Sequence, residues 1–378
     1  MKHAFTLTAV SLLSSHIAYA NPSHEANIEV KSNLFAQLGY YHQSRDQQFA
    51  IPGILTSADA AHQEQGMQLM HGELGLLAIW PQVLAGKIIL GSHHGENVEV
   101  EELWLQPHIG QNWTLRLGRQ LSPIGLYNDV HEHDWRFVDA SLPQQAFLAN
   151  QYQDDSIKLT YANGMHDLTA WVGRGNGYPA QADASESTPA ALGLSYQWQG
   201  FKQAHSWRVV GSLAHFDATQ RGAQTNQGHN HTTTSSAIVF DGTTILVALG
   251  AQWQWQQFGI EAQWMGQQID AHLSDSQQMQ TDLDAFQYGV SSQIVWQREA
   301  LELALRYDAL ISDNQVSRES SEFSQALNAE GLRPQRLSAV LNWHFAPAQT
   351  LRLQGNYEEI THLSQNAFWL VYQGNLNW

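Results

Sequence analysis

Histidines and carboxylates gather in one stretch of this 378-residue sequence. Gln120 to Asp154 contains His131-Glu132-His133-Asp134, with Asp129 and Asp139 on either side and Arg136 as its one basic residue. Two histidines one residue apart on an extended chain point to the same side and could share an ion. Neutral imidazole is a common ligand for zinc and copper. His229-Asn230-His231 repeats the pattern, and His93-His94 is a further pair. Weak Zn²⁺ binding by these six histidines is the sharp expectation, and solvated loop filler is the plain one. Gathered around an opening, Asp129, Glu132, Asp134 and Asp139 against Arg136 would favour cations. On an external face the same acids would only be hydrated. The sequence has no cysteine, so neither a thiolate site nor a disulfide framework is available. Ser122, His131, His133, Asp134 and Asp139 hold the ingredients of a hydrolase, but no G-x-S-x-G nucleophile turn occurs. No catalysis and no resident cofactor are expected.

Something must hold that stretch in place. It is too long for an idle connection, and Ile124, Leu126, Tyr127, Trp135, Phe137, Leu142, Phe147 and Leu148 need a surface to pack on. Asp139 or Ser141 could cap a short helix with Pro143 in its first turn. Around it the sequence alternates. Asn366 to Trp378 places Phe368, Leu370, Tyr372, Leu376 and the terminal Trp378 on one face, as a strand closing a membrane cylinder would. An edge strand of a soluble sandwich is the competing reading of that stretch.

Residues 1–20 read as a secretory signal peptide: Lys2, an apolar run over 4–13, and Ala18-Tyr19-Ala20 before the cut. Residues 21–29 form a polar leader. Without the signal, 17 basic residues face 35 acidic ones, because Lys2 is lost from the 18 and no acid goes with it. Nucleic acid is therefore a poor partner. No run of eighteen apolar residues occurs, so no spanning helix is expected. Only 14% of residues are charged and 14 are tryptophan, which fits an apolar outer wall around a wet interior.

Alternation predicts sixteen strands over 30–378, at 30–41, 67–80, 83–92, 98–106, 113–118, 155–162, 166–173, 190–198, 205–216, 243–255, 258–268, 285–297, 300–310, 335–345, 349–360 and 366–378. The fourth has no clear register, since Leu103, Trp104 and Leu105 are all apolar. Connections alternate between short turns and longer loops, of which only the second and last are brief. An all-β, transmembrane antiparallel barrel of about sixteen strands produces that alternation; a sandwich has no reason to. A barrel of this size encloses an aqueous channel rather than a packed core. The expected role is passive diffusion of small hydrophilic solutes or ions across an outer membrane, with a lean to cations and divalent metal among them. A surface adhesin built on the same barrel is the alternative class. Inward positions carry Lys87, Arg116, Lys158, Arg208, Arg306, Arg336 and Arg352 against Glu73, Glu261, Glu302, Asp308 and Glu358. Such a mixed wall either sets up a transverse field or pairs with itself.

The run Leu115-Arg116-Leu117-Gly118-Arg119-Gln120-Leu121-Ser122-Pro123-Ile124-Gly125-Leu126 resembles the strand-to-loop signature of the phosphate-selective porin O/P family: a glycine-arginine pair followed by proline-x-glycine. Glu101-Glu102-Leu103-Trp104 is similar to the acidic-aromatic strand before it. The resemblance implies a Gram-negative outer-membrane homotrimer whose third external loop folds inward. That family lines its pore with basic residues, whereas the loop here is acidic and bears histidines. The architecture therefore carries over and the phosphate specificity does not; an anion-type pore stays as the alternative.

Overall fold

The computed structural model describes residues 27–45, 50–57, 60, 65–95, 97–182, 188–222 and 238–378. The signal peptide, most of the polar leader, and His229 and His231 lie outside them. Sixteen antiparallel strands form one closed barrel. They are β1 (Glu29–Gln43), β2 (Gly66–Trp80), β3 (Leu84–His93), β4 (Glu99–Pro107), β5 (Trp113–Leu121), β6 (Gln153–Asn163), β7 (His166–Gly173) and β8 (Ala191–Lys202). The second half comprises β9 (His205–Arg221), β10 (Val239–Trp255), β11 (Phe258–Ser274), β12 (Gln280–Arg298), β13 (Leu301–Val316), β14 (Gln335–Ala346), β15 (Gln349–Glu359) and β16 (Gln365–Asn377). Each strand pairs with its sequence neighbours, and β16 returns to β1, where Ser32 and Trp378 exchange backbone hydrogen bonds of 3.0 Å.

Closure follows from the faces. Leu34, Leu38 and Tyr40 on β1, Leu74 and Leu76 on β2, and Phe368, Leu370 and Tyr372 on β16 are all exposed. The residues between them, such as Phe35, Gln37, Glu73, Trp369 and Val371, are buried. A ring of exposed leucine, isoleucine and aromatic side chains is intelligible against lipid and not against water. In that setting, sheet edges are excluded because no solvent is available to satisfy their backbone groups.

The strands outrun their sequence-predicted ends on the side of the long connections. Along β11, Ile260 and Ala262 face out while Glu261, Gln263 and Gln267 face in. Beyond Gln267 the sense reverses: Ile269, Ala271 and Leu273 are buried, and Gln268, Asp270 and His272 are exposed. β12 does the same, with Leu283 and Ala285 inward against Asp282 and Asp284 outward. Above the lipid the outer surface meets water, so polar residues move outside and apolar ones pack inside. A second helix, α2 (Ser321–Leu327), packs there, with Phe323 and Leu327 against Phe240, Ile269, Leu273 and Leu283. The β11–β12 connection is consequently only 275–279, a third brief loop where a long one was expected.

The fourth strand also acquires its register. Leu103 and Leu105 face out and Trp104 faces in, donating from Nε1 to Glu102 Oε2 at 2.9 Å, with the Arg116 guanidinium 4.4 Å from its ring. Trp104 pairs with Gly118 of β5. Gly118 has φ +129°, and a Cβ there would overlap the carbonyl oxygen of Leu103. Gly118→Val should therefore introduce strain of about 1–3 kcal/mol. The expected outcome is that the folded, fast-migrating species on a detergent gel converts to the unfolded one at lower temperature than wild type. An unchanged conversion temperature would refute the close β4–β5 approach.

Candidate functional site

The connection between β5 and β6 (residues 122–152) concentrates the chemistry. Its base is locked by Asn128, whose Nδ2 donates to the carbonyls of Ser122 and Tyr152, both at 2.8 Å, and whose Oδ1 accepts from Tyr152 N at 2.7 Å. Within it lie a 3₁₀ turn (Glu132–Asp134) and the helix α1 (Leu142–Leu148). Ser141 occupies the N-cap position and Pro143 the first turn, but the cap makes no side-chain hydrogen bond. Asp139, the other cap candidate, is engaged elsewhere. Ile124, Leu142, Ala146, Phe147 and Leu148 pack on Trp171, Phe216, Ala248, Met265 and Leu310 of the barrel wall.

Charge fixes the rest of the segment. Asp139 is 8% exposed and receives two arginines: Arg306 Nη2 at 2.7 Å and Arg336 Nη1 at 3.0 Å. Gln354 and Asn356 donate to the same carboxylate, each at 2.7 Å. The arginines are balanced on their far sides by Asp308 (3.1 Å) and Glu358 (2.7 Å). Arg136 reaches the opposite way, to Glu261 (2.8 Å) and Glu302 (3.2 Å). Burial disfavours its charge, but the two carboxylates outweigh this and hold the guanidinium above its ordinary range. Tyr127 donates to Glu261 as well; burial, with that carboxylate beside it, pushes the phenol well above its usual value. Arg208 donates to the Leu126 carbonyl at 2.9 Å and faces Asp129 at 3.4 Å. Arg352 donates to the Trp135 carbonyl at 2.8 Å, and Gln373 to that of His133 at 3.1 Å.

All twelve charged wall positions read from the alternation turn away from the exposed apolar face, and most are tied to one another or to the segment. Lys87 bonds Glu102 at 2.9 Å, and Lys158 donates to the Leu121 carbonyl at 3.0 Å. Pairing therefore uses up much of the mixed wall. The four acids expected as one negative set are separated: Asp139 is buried between arginines, Asp129 faces Arg208, Glu132 is half-buried and Asp134 is exposed.

The histidines divide in a way the spacing did not foretell. The 3₁₀ turn sends His131 and His133 to different carboxylates, His131 Nε2 to Glu102 at 2.9 Å and His133 Nδ1 to Glu73 at 2.9 Å. Their rings nonetheless stack at 5.4 Å, and His131 Nδ1 lies 3.9 Å from the Glu73 oxygen that His133 approaches. His93 approaches Glu101 (3.1 Å), and His94 lies on the exposed side beside Gln68 (3.1 Å). Two members of the cluster were missed. His71 Nε2 lies 2.8 Å from Glu101 and 3.2 Å from Glu73. It shares the inward parity of Glu73, so counting histidine among the wall residues would have found it. Glu101 could not be found that way. A bulge in β4 between the partners of Ile89 and Leu90 turns it toward Glu102's side.

Comparison with solved structures places the fold. A loop-deleted form of OmpT, an outer membrane protein of Vibrio cholerae, superposes with TM-score 0.60 at 13% identity, covering 93% of this chain and all of its own. The outer membrane channel DcaP of Acinetobacter baumannii gives 0.60 at 12%, covering 93% and 97%. An anion-selective porin from Comamonas acidovorans gives 0.57 at 10%, covering 93% and 100%. No family model and no curated protein matches the chain. It has the fold of the outer-membrane porins. At these identities the likeness reaches no further than fold, and membership of the phosphate-selective O/P group is not part of it.

Asp139→Ala leaves Arg306 and Arg336 without their shared acceptor. Removing one partner of a buried pair costs roughly 3–5 kcal/mol, and the low end applies because Asp308 and Glu358 remain. The segment should loosen while the barrel stays closed. Limited proteolysis of the folded protein should then cut within 129–149, where wild type resists; equal resistance would show that Asp139 does not anchor it.

Proposed function

We propose that this chain is a porin of the Gram-negative outer membrane, exported by its signal peptide, in which residues 122–152 fold into the bore as the constriction. One observation carries this reading. The segment bonds to side chains of β9, β11 and β13–β15 and of β2 and β4, which lie on different sides of the ring, while the barrel's outer face is apolar. A closed cylinder of sixteen strands is wide enough to pass water around such a segment. Transport is passive, of small hydrophilic solutes and ions, with cations favoured and divalent metal among them. Glu132 and Asp134 lie outside the arginine pairing, Asp129 faces Arg208, and Glu302, Asp139 and Glu358 neutralise Arg136, Arg306 and Arg336. The anion-type alternative suggested by the O/P resemblance would rest on Arg352, whose Nη1 is buried without a hydrogen-bond partner, while Arg136, Arg306 and Arg336 are each paired with carboxylates. Three chains associate in this reading, as in the trimer form of the Vibrio cholerae protein. No hydrolytic role is assigned; liposome swelling without hydrolysis products, and with measurable conductance, separates a pore from both an enzyme and a closed adhesin.

Reversal potentials in planar bilayers under a tenfold KCl gradient should have the sign of cation preference. Changing Asp129→Asn, Glu132→Gln and Asp134→Asn together should move the potential toward zero. A wild-type preference for chloride would overturn the cation reading. Deleting 129–149 should raise single-channel conductance several-fold, and unchanged conductance would remove the constriction.

A further inference from the structure

We propose that His71, Glu73 and His133, with Glu101 as a fourth ligand, bind one borderline divalent transition-metal ion in the wall near the long-connection end of β2 and β4. His71 Nε2 and His133 Nδ1 stand 3.2 Å and 2.9 Å from the same oxygen, Glu73 Oε1. Zinc bonds of 2.0–2.1 Å in a tetrahedron separate ligand atoms by about 3.3 Å, so two of the three edges are already close to what such an ion requires, and all three atoms lie within 4.8 Å of one another. Glu101 Oε1 lies 2.8 Å from His71 Nε2 and completes the set.

Burial supplies an independent observation. The Glu73 side chain is 1% exposed, yet its Oε1 and the facing His133 Nδ1 have no hydrogen-bond partner, their 2.9 Å approach being off the line such a bond needs. An orphaned carboxylate oxygen buried beneath neighbouring side chains is costly. A cation at the meeting point of the three ligands would resolve it. The rings are held in advance: Phe35 stacks on His133 at 4.2 Å and sets its edge to His71 at 6.0 Å, while His93 stacks on His71 at 4.3 Å. Gly91 leaves the space occupied by the Glu101 carboxylate, which a Cβ there would overlap. His131 is bonded to Glu102 through Nε2, and its Nδ1 stands 3.9 Å from Glu73 Oε1, farther than His71 and His133. Two imidazoles and two carboxylates suit Zn²⁺, Cu²⁺ or Ni²⁺. Calcium and magnesium ask for an all-oxygen shell.

The proposal rests on the porin reading only for the route by which an ion arrives, so binding and conductance are measured apart. Calorimetry of the folded, metal-stripped full chain in detergent, titrated with ZnCl₂, should give one site per chain, retained under a hundredfold excess of Mg²⁺. His71→Ala, Glu73→Gln and His133→Ala should each weaken it at least tenfold, with the heat-modifiable folded band confirming an intact barrel. Gly91→Ala, which leaves every ligand residue in the sequence, should weaken it too because the new Cβ displaces the Glu101 carboxylate. Co²⁺ in place of zinc should show the intense visible absorption of a four-coordinate site. The proposal is overturned by absence of Zn²⁺ binding, by binding that survives the His71→Ala/His133→Ala pair, or by binding lost only when His229 and His231 are changed. Ion flow in bilayers without zinc binding sinks this site and leaves the porin. Zinc binding by a barrel that conducts nothing does the reverse.

Discussion

The backbone cannot leave an amide or carbonyl unpaired against hydrocarbon, and the rest of this molecule follows from that. Pairing β1 with β16 removes the last sheet edge. Once the ladder is closed, period-two geometry assigns every side chain to lipid or to the interior. Outer positions then have one requirement, to be apolar, and the exposed leucines, isoleucines and aromatics meet it. All sequence variety is left to the inner surface.

On that inner surface the governing constraint is neutralisation. Charges removed from bulk water persist only with partners. Asp139 and Arg136 show how a segment of irregular backbone uses this. Each meets two wall residues of the opposite sign, Asp139 with Arg306 and Arg336 and Arg136 with Glu261 and Glu302, so docking the segment adds to the balance of the wall. The apolar side chains around α1 add non-directional attachment, and the ion pairs fix the position. The histidine cluster departs from this rule, because there the carboxylates face imidazoles rather than arginines.

Strand number, strand positions and the inward parity of the wall charges were legible because lipid imposes one rule along the whole membrane-crossing length. Legibility stopped where that rule changes. Past Gln267 the outside is water, the alternation reverses sign, and a pattern tuned to apolar-out reads as loop. Bulges defeat it differently: at Glu101 one extra residue shifts parity without any compositional trace. Pro143 announced α1, whereas the seven residues of α2 are too few to show a helical period. Spacing put His131 and His133 together on the premise of an extended chain; a 3₁₀ turn brings them together instead, while sending the Nε2 of His131 to Glu102.

The unequal lengths of the strands shape the mouth. β11 and β12 run 17 and 19 residues, whereas β3 and β4 run 10 and 9. The tall side ends in a dry parapet, where Phe240, Leu273 and Phe323 close ranks. The short side is a low, wet sill bearing His93 and Glu101. The rim is therefore apolar on the tall side and carries imidazole and carboxylate on the short one.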